Sequence, residues 1–257
     1  MLKNFLKPPH KVKLERLGNT KDGGYLIPSE IIEKTKYLIS FGVGYDWSFE
    51  KDFKIANKKM KVLCYDHTVT RRFWYKYTII AFFDFIKSLR QRKKIFKYFE
   101  YKKFFNNKDV FHFKKQVIDL ERDKSKQISL KTLSRSLGKE NIFFKIDIDN
   151  DEWRILDQIK YFKNLLGIVI ELHNIDLNIN ILQSFLKKNK HLKIVHIHSN
   201  NMGGVDKNMD PLVIELTLLN INLSKKYERT NNKKFKPNKL DFKNDPIRKE
   251  IKIKFKS

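Results

Sequence analysis

Two glycines and a later acid stand where short apolar runs end. The segment Ser40-Phe41-Gly42-Val43-Gly44-Tyr45-Asp46 closes the run Tyr37–Phe41. Glycines at this spacing let the backbone turn sharply and approach a ligand closely. A nicotinamide fingerprint needs a third glycine near position 47, which is Trp47, so a dinucleotide dehydrogenase is disfavoured. No Gly-Lys-Ser/Thr follows, so this is no Walker loop. Alone, the glycine pair is met as well by an ordinary strand-to-helix turn. Asp66 stands directly after a second run, Lys61–Tyr65. In an open α/β sheet ligands sit at the carboxyl ends of strands, where an acid can accept both hydroxyls of a ribose. The glycine loop and Asp66 together form the minimal nucleoside-binding pair.

Further along, Lys145-Ile146-Asp147-Ile148-Asp149-Asn150-Asp151-Glu152-Trp153 crowds four acids between a strand and a helix. Acids suit a helix N-terminus in any protein. Alternation, however, turns Asp147 and Asp149 to the same side at the strand's carboxyl end. The same argument pairs Glu171 with His173, and His196 with His198 in His196-Ile197-His198-Ser199-Asn200-Asn201. Acids and imidazoles at neighbouring strand ends suit proton transfer, metal ligation or a hydrogen-bonded polar rim. No metal is assigned on this pattern.

The elements that must position these groups are legible as alternating runs. Tyr37–Phe41, Lys61–Tyr65, Asn141–Ile148, Leu166–Leu172 and His191–His198 read as strands, with Val213–Leu219 a further strand. It pairs with its predecessor as a hairpin through Asn200–Asp210. Trp47–Asn57, Glu152–Phe162 and Asn178–Lys190 read as helices. Such alternation implies a mostly parallel sheet covered on both faces. Arg71–Phe105 has no Gly or Pro and reads as one or two added helices. Ser224–Lys243 is polar and reads as an extended loop, and Ile251–Phe255 alternates like an edge strand.

Length and composition bound the possibilities. The 257 residues, 41% hydrophobic and 13% aromatic, exclude a fully disordered chain. No apolar stretch of about 18 residues occurs, the best being Thr78–Ile86 with Asp84 inside it. Met1–His10 lacks a continuous apolar region, so no secretory signal is expected. The single cysteine, Cys64, excludes a disulfide framework and makes a reducing, cytoplasmic location the default. The net charge of +26 has two readings. One is an anionic partner: nucleic acid, a membrane surface or a phosphorylated substrate. The other is base composition, since Lys, Asn, Ile and Phe all have A/T-rich codons and only ten of the 55 cations are Arg.

These residues resemble the FkbM-type methyltransferases, a branch of the S-adenosylmethionine-dependent methyltransferases. The resemblance runs through Asp22-Gly23-Gly24-Tyr25, Ser40–Gly44 with Ser48-Phe49-Glu50, Tyr65-Asp66-His67-Thr68, Phe144–Trp153, Ile170–His173, His196–Asn201 and Leu240-Asp241-Phe242-Lys243-Asn244. Its most specific piece, Phe144–Trp153, is similar to the family's Lys-Ile-Asp-Ile-Glu-Gly-x-Glu. The chain departs from the usual pattern at Ser40, where an acid is customary, at Asp46, where a third glycine is, and at Asp149-Asn150 in place of Glu-Gly.

The resemblance implies a Rossmann-like α/β fold over 1–257. Its sheet is mostly parallel, with helices on both faces and a C-terminal antiparallel strand. A helical insertion occupies about 71–105 and an extended tail about 224–257. It also implies S-adenosylmethionine as cofactor, at Gly42, Gly44, Asp46, Asp66 and Asp147. The expected reaction is O-methylation of a hydroxyl on a sugar, glycan or other small molecule, with Asp147, His173 or His198 as proton acceptor. An RNA-binding methyltransferase, or a non-catalytic binding module on the same fold, are the alternatives. The insertion sets Phe73, Trp74, Tyr75, Tyr77, Phe82, Phe83 and Phe85 before Arg90, Arg92, Lys93, Lys94 and Lys97. That mixture suits an anionic lipid surface, a glycan-lipid acceptor or stacked single-stranded nucleic acid, and suits equally an insertion that simply packs on the core.

Overall fold

The computed structural model describes residues 1–87, 96–224, 228–229 and 235–255. Arg90, Arg92, Lys93 and Lys94 lie outside the described residues, as do 225–227 and 230–234 of the expected tail.

After a 3-10 turn (Asn4–Leu6) and a two-residue strand (His10–Lys11) comes a hairpin, β1 (Leu14–Leu17) and β2 (Tyr25–Pro28). Then follow β3 (Tyr37–Phe41), α1 (Ser48–Ala56), β4 (Lys61–Tyr65), α2 (Arg71–Lys87), α3 (Lys97–Phe105) and β5 (Val110–Phe113). The main elements that follow are α4 (Leu130–Leu137), β6 (Ile142–Ile146), α5 (Glu152–Ile155), β7 (Leu165–Leu172), α6 (Ile175–Lys188), β8 (Leu192–Ser199) and β9 (Ile214–Asn220).

Seven strands form one sheet in the order β8-β9-β7-β6-β3-β4-β5. Counted along the chain, the sheet strands run 3-2-1-4-5-7-6. All neighbours are parallel except β9, which is antiparallel to both β7 and β8. This is the Rossmann-like methyltransferase arrangement, with its antiparallel strand near the C-terminus. The sheet's first-half and second-half strands meet at β3 and β6, the switch point where such sheets bind ligands.

Apart from Ser40, Lys145 and Glu171 near their carboxyl ends, the central strands are apolar on both sides because both sheet faces are covered. Alternate residues part between two cores: Leu38, Val62 and Phe143 pack with Phe49 and Phe53 of α1, while Ile39, Leu63 and Phe144 pack with Leu133 of α4 and Leu182 of α6. Helix starts follow local chemistry. Asp46 Oδ1 accepts from Ser48 N (2.8 Å) at the head of α1, and Ser129 caps α4 by accepting from Thr132 N (3.1 Å).

Two readings need correction. Ile251–Phe255 is not an edge strand; among the described residues it makes one bridge, Leu2 to Phe255. Its alternation arises because Ile253 and Phe255 pack on a core while Lys252 and Lys254 face solvent. Glu152–Phe162 is one α-helical turn followed by a 3-10 segment, Leu156–Tyr161. Strand β5 and helix α4 were not read from the sequence, although Val110-Phe111-His112-Phe113 and the Ser129 cap carry the signals.

Candidate functional site

A cavity of about 650 Å³ opens at the carboxyl ends of the parallel strands. The glycine loop, Asp66, Asp147, Asp149, Glu171 and His173 all line it, together with Asp22 and Gly23. Strand ends far apart in sequence thus deliver the expected groups to one place.

The two glycines serve different needs. Both have positive φ, +81° at Gly42 and +54° at Gly44. A Cβ on Gly42 would lie 1.7 Å from the Asp147 carbonyl oxygen, so glycine is required there by the neighbouring strand end. A Cβ on Gly44 would meet nothing within 4 Å. That position faces open space.

Asp66 is more engaged than a free ribose acceptor. Its Oδ2 accepts from Val43 N and Gly44 N, both 2.9 Å. Its Oδ1 accepts from Thr68 N (2.8 Å) and Thr68 Oγ1 (2.6 Å). Burial would raise its pKa, but these hydrogen bonds prevail and lower it. Asp46 also spends its carboxylate on protein, accepting from Ser48 N and from Asn19 Nδ2.

The acid absent from position 40 arrives from α1. Ser40 Oγ donates to Glu50 Oε1, and Glu50 is fully buried. Burial raises the Glu50 pKa against the opposing pull of Lys145 and Ser40. Lys145 is itself buried, with Nζ 2.5 Å from the Gly42 carbonyl oxygen and 3.3 Å from Asp147 Oδ2. Burial would lower its pKa, but Asp147 and Glu50 hold it above the ordinary lysine value. Tyr25 completes this corner by donating to Asp147 Oδ2 (3.1 Å).

The next strand end carries a carboxylate–imidazole chain. His173 Nδ1 lies 3.0 Å from Glu152 Oε1, and Nε2 lies 3.4 Å from Glu171 Oε1. Burial alone would lower the His173 pKa, but Glu152 and Glu171 raise it to about 10. Glu171 is buried and accepts from Asn200 Nδ2 (3.0 Å). Burial, then the Asp147 charge, push its pKa well above the carboxylate range. Asp147, Asp149 and His173 offer ligand atoms within 4.8 Å of one another, a spacing that a divalent cation can bridge.

His198 is not brought to this cavity. Nδ1 lies 3.3 Å from Glu215 Oε2 and Nε2 3.2 Å from Glu250 Oε1. His196 likewise turns to the tail, 2.8 Å from Asp241. The alternation reading holds, since both imidazoles meet carboxylates of the tail, but that side of β8 is covered by the tail. Asn244 then donates to Glu215 (2.6 Å) and Asp22 (3.2 Å), which ties the closing Leu240–Asn244 motif to the Asp22–Tyr25 motif.

Lys145, Glu50 and Glu152 carried no role in the sequence reading. Two signals point to Lys145: it is a lysine inside an otherwise apolar strand, and it opens the Lys145-Ile146-Asp147-Ile148 motif.

No family model and no curated protein matches the chain. Solved structures do resemble it. The StiE O-MT is 10% identical, covering 76% of this chain and 71% of its own, with a TM-score of 0.42. A SAM-dependent methyltransferase from Aquifex aeolicus is 10% identical over 74% and 86%, with a TM-score of 0.37. Precorrin-6y C5,15-methyltransferase from Geobacter metallireducens is 10% identical over 73% and 80%, with a TM-score of 0.39. The fold rests on the strand order and polarity of this chain itself.

Proposed function

We propose that the chain is an FkbM-type S-adenosylmethionine-dependent methyltransferase that O-methylates a hydroxyl on a sugar, glycan or other small molecule. One observation carries this reading: the glycine loop, Asp66 and Asp147 line a single cavity at the switch point of a 3-2-1-4-5-7-6 sheet. The cofactor is supported by the open space above Gly44, which a side chain there would enter. When bound, S-adenosylmethionine supplies an electrophilic methyl carbon.

The chain's own residues divide the remaining work. Gly42, Gly44 and Asp46 shape the loop on which the cofactor lies. Asp66 holds that loop through Val43 N and Gly44 N, and offers its other oxygen to a ribose hydroxyl that replaces the Thr68 hydroxyl. Asp147 is fixed by Tyr25 and Lys145, so it can orient an acceptor hydroxyl without moving, which gains rate through proximity. Glu171 takes the acceptor's proton: it lines the cavity, and its raised pKa suits a base working near neutrality. His173, protonated, holds Glu171 in place. No proton transfer is assigned to His198.

Calorimetric titration with S-adenosylmethionine, S-adenosylhomocysteine and NADH tests the reading. Micromolar binding of the first two and none of NADH is expected. Absence of binding to all three would overturn it.

A further inference from the structure

Helix α2 presents an apolar face to solvent. Tyr75, Ile79, Ile80, Phe82 and Phe83 are each 40–70% exposed. Four of them, at 75, 79, 82 and 83, follow the i, i+4, i+7, i+8 spacing of one helix face, within about 100° of arc. The opposite face is spent on the fold, with Trp74 and Ala81 buried and Tyr77 half-buried. Packing among the described residues therefore does not account for the outer stripe. A contiguous exposed stripe of large apolar side chains marks a contact surface.

The charges around the stripe indicate what it meets. Arg71, Arg72 and Lys76 are exposed in the first turns of the same helix, and Lys102 and Lys103 on α3 beside it. The two helices touch through Trp74, whose ring centroid is 5.4 Å from Tyr98 and 4.8 Å from Tyr101. Phe99, on α3, is 65% exposed. Aliphatic and aromatic groups flanked by cations match the two layers of an anionic bilayer surface, acyl chains below and phosphates above. A second copy of the chain fits poorly, since each copy carries +26. Ile79 and Ile80 offer nothing to a phosphate backbone or a base. No helix among the described residues is long and apolar enough to cross a membrane, so the contact is with the surface.

We infer that the outer face of α2 docks the protein on an anionic lipid surface. The helix begins five residues after Asp66, and Trp74 packs edge-on against Trp47 of the glycine-loop segment, with centroids 6.2 Å apart. The inference stands apart from the methyl-transfer reading, since it uses no residue of the cavity.

Flotation of the full chain with vesicles tests it. Phosphatidylglycerol–phosphatidylcholine vesicles should carry the protein, and phosphatidylcholine alone should not. The double variant Ile79→Glu/Phe83→Glu should lower the bound fraction about tenfold or more. Its circular dichroism and S-adenosylmethionine titration should be unchanged, because both side chains are exposed. Leu177→Glu, at a 78% exposed position on α6, adds charge elsewhere and should keep most of the binding. Three results would overturn the proposal. These are no binding by the natural chain, equal binding by the double variant and the natural chain, or single-stranded RNA bound through the same two residues in place of vesicles.

Discussion

Lys145 Nζ lies 3.3 Å from Asp147 Oδ2, a cation and an acid two residues apart at the end of one strand. The same ammonium reaches the Gly42 carbonyl oxygen at 2.5 Å, so it ties the acid-bearing strand end to the glycine loop. Glu50 contributes the second negative neighbour. Removing one partner of a buried charge cluster leaves the others uncompensated. Lys145→Met should therefore destabilise the fold by about 3 kcal/mol. Urea unfolding followed by circular dichroism measures this, and a midpoint equal to that of the natural protein would count against the bridge.

Asp66 holds the loop and receives the ribose in the proposed site. Asp66→Ala removes four accepted hydrogen bonds at once. Affinity for S-adenosylmethionine should fall about tenfold or more, on the scale of lost charge-assisted bonds. Thr68→Val, which removes only the competing hydroxyl, should leave affinity unchanged or raise it. Calorimetry on both variants separates the two roles.

In the proposed reaction, proton acceptance by Glu171 would set the pH dependence of methylation. Burial and Asp147 raise its pKa, and only the deprotonated form is a base. Turnover should thus rise with pH, with its midpoint above the ordinary carboxylate range. Glu171→Gln should lower kcat about 100-fold and remove that rising limb. A Glu171→Gln enzyme with the natural pH profile would assign the proton to another group.

Chelation addresses the Asp147, Asp149 and His173 cluster. The Lys145 ammonium already neutralises Asp147, and Glu152 and Glu171 keep His173 protonated. A divalent cation would have to displace that proton and sit near a fixed positive charge. Methylation should be unchanged in excess chelator. A loss restored by added magnesium or manganese would make the cluster a metal site.

The tail latch at His198 predicts a second pH effect, on stability. Burial would lower the His198 pKa, but Glu215, with help from Asp241 and Glu250, raises it from 6.5 to about 9. A group with a raised folded pKa contributes fully below its unfolded value and loses that contribution as pH climbs through the folded one. The Asp241 pKa is lowered by His196 against the effect of burial, so its contribution fades as pH falls below 3.8. The latch is thus firmest between about 3.8 and 6.5. His198→Gln should cost roughly 1–3 kcal/mol at pH 6 and little at pH 10. Thermal melts of both proteins across this range give the comparison.

Much of the fold was legible because buried parallel strands are short apolar runs. Tyr37–Phe41 and Lys61–Tyr65 match their strands residue for residue, since a strand covered on both faces has no polar side to blur its ends. Alternation also paired Glu171 with His173 correctly, because it is a property of the backbone alone. It stops at the strand end. Asp149 and Asn150 have positive φ, +50° and +83°, beyond the last residue of β6.

Which partner each side chain meets was not legible, because that is set by segments far apart in the chain. Asp66 stands where the sequence leads one to expect a ribose acceptor, but only the packing of the glycine loop shows its carboxylate turned to Val43 and Gly44. His198 has the chemistry of a base, and only the return of the tail, 52 residues later, closes it between two carboxylates. Tyr25 reaches Asp147 across 122 residues. The sequence by itself determined the order of most central strands and the residue types at their ends, because periodicity and propensity are local. The tertiary structure decided which of those residues face a common cavity, because burial and charge pairing depend on neighbours that the linear order does not name.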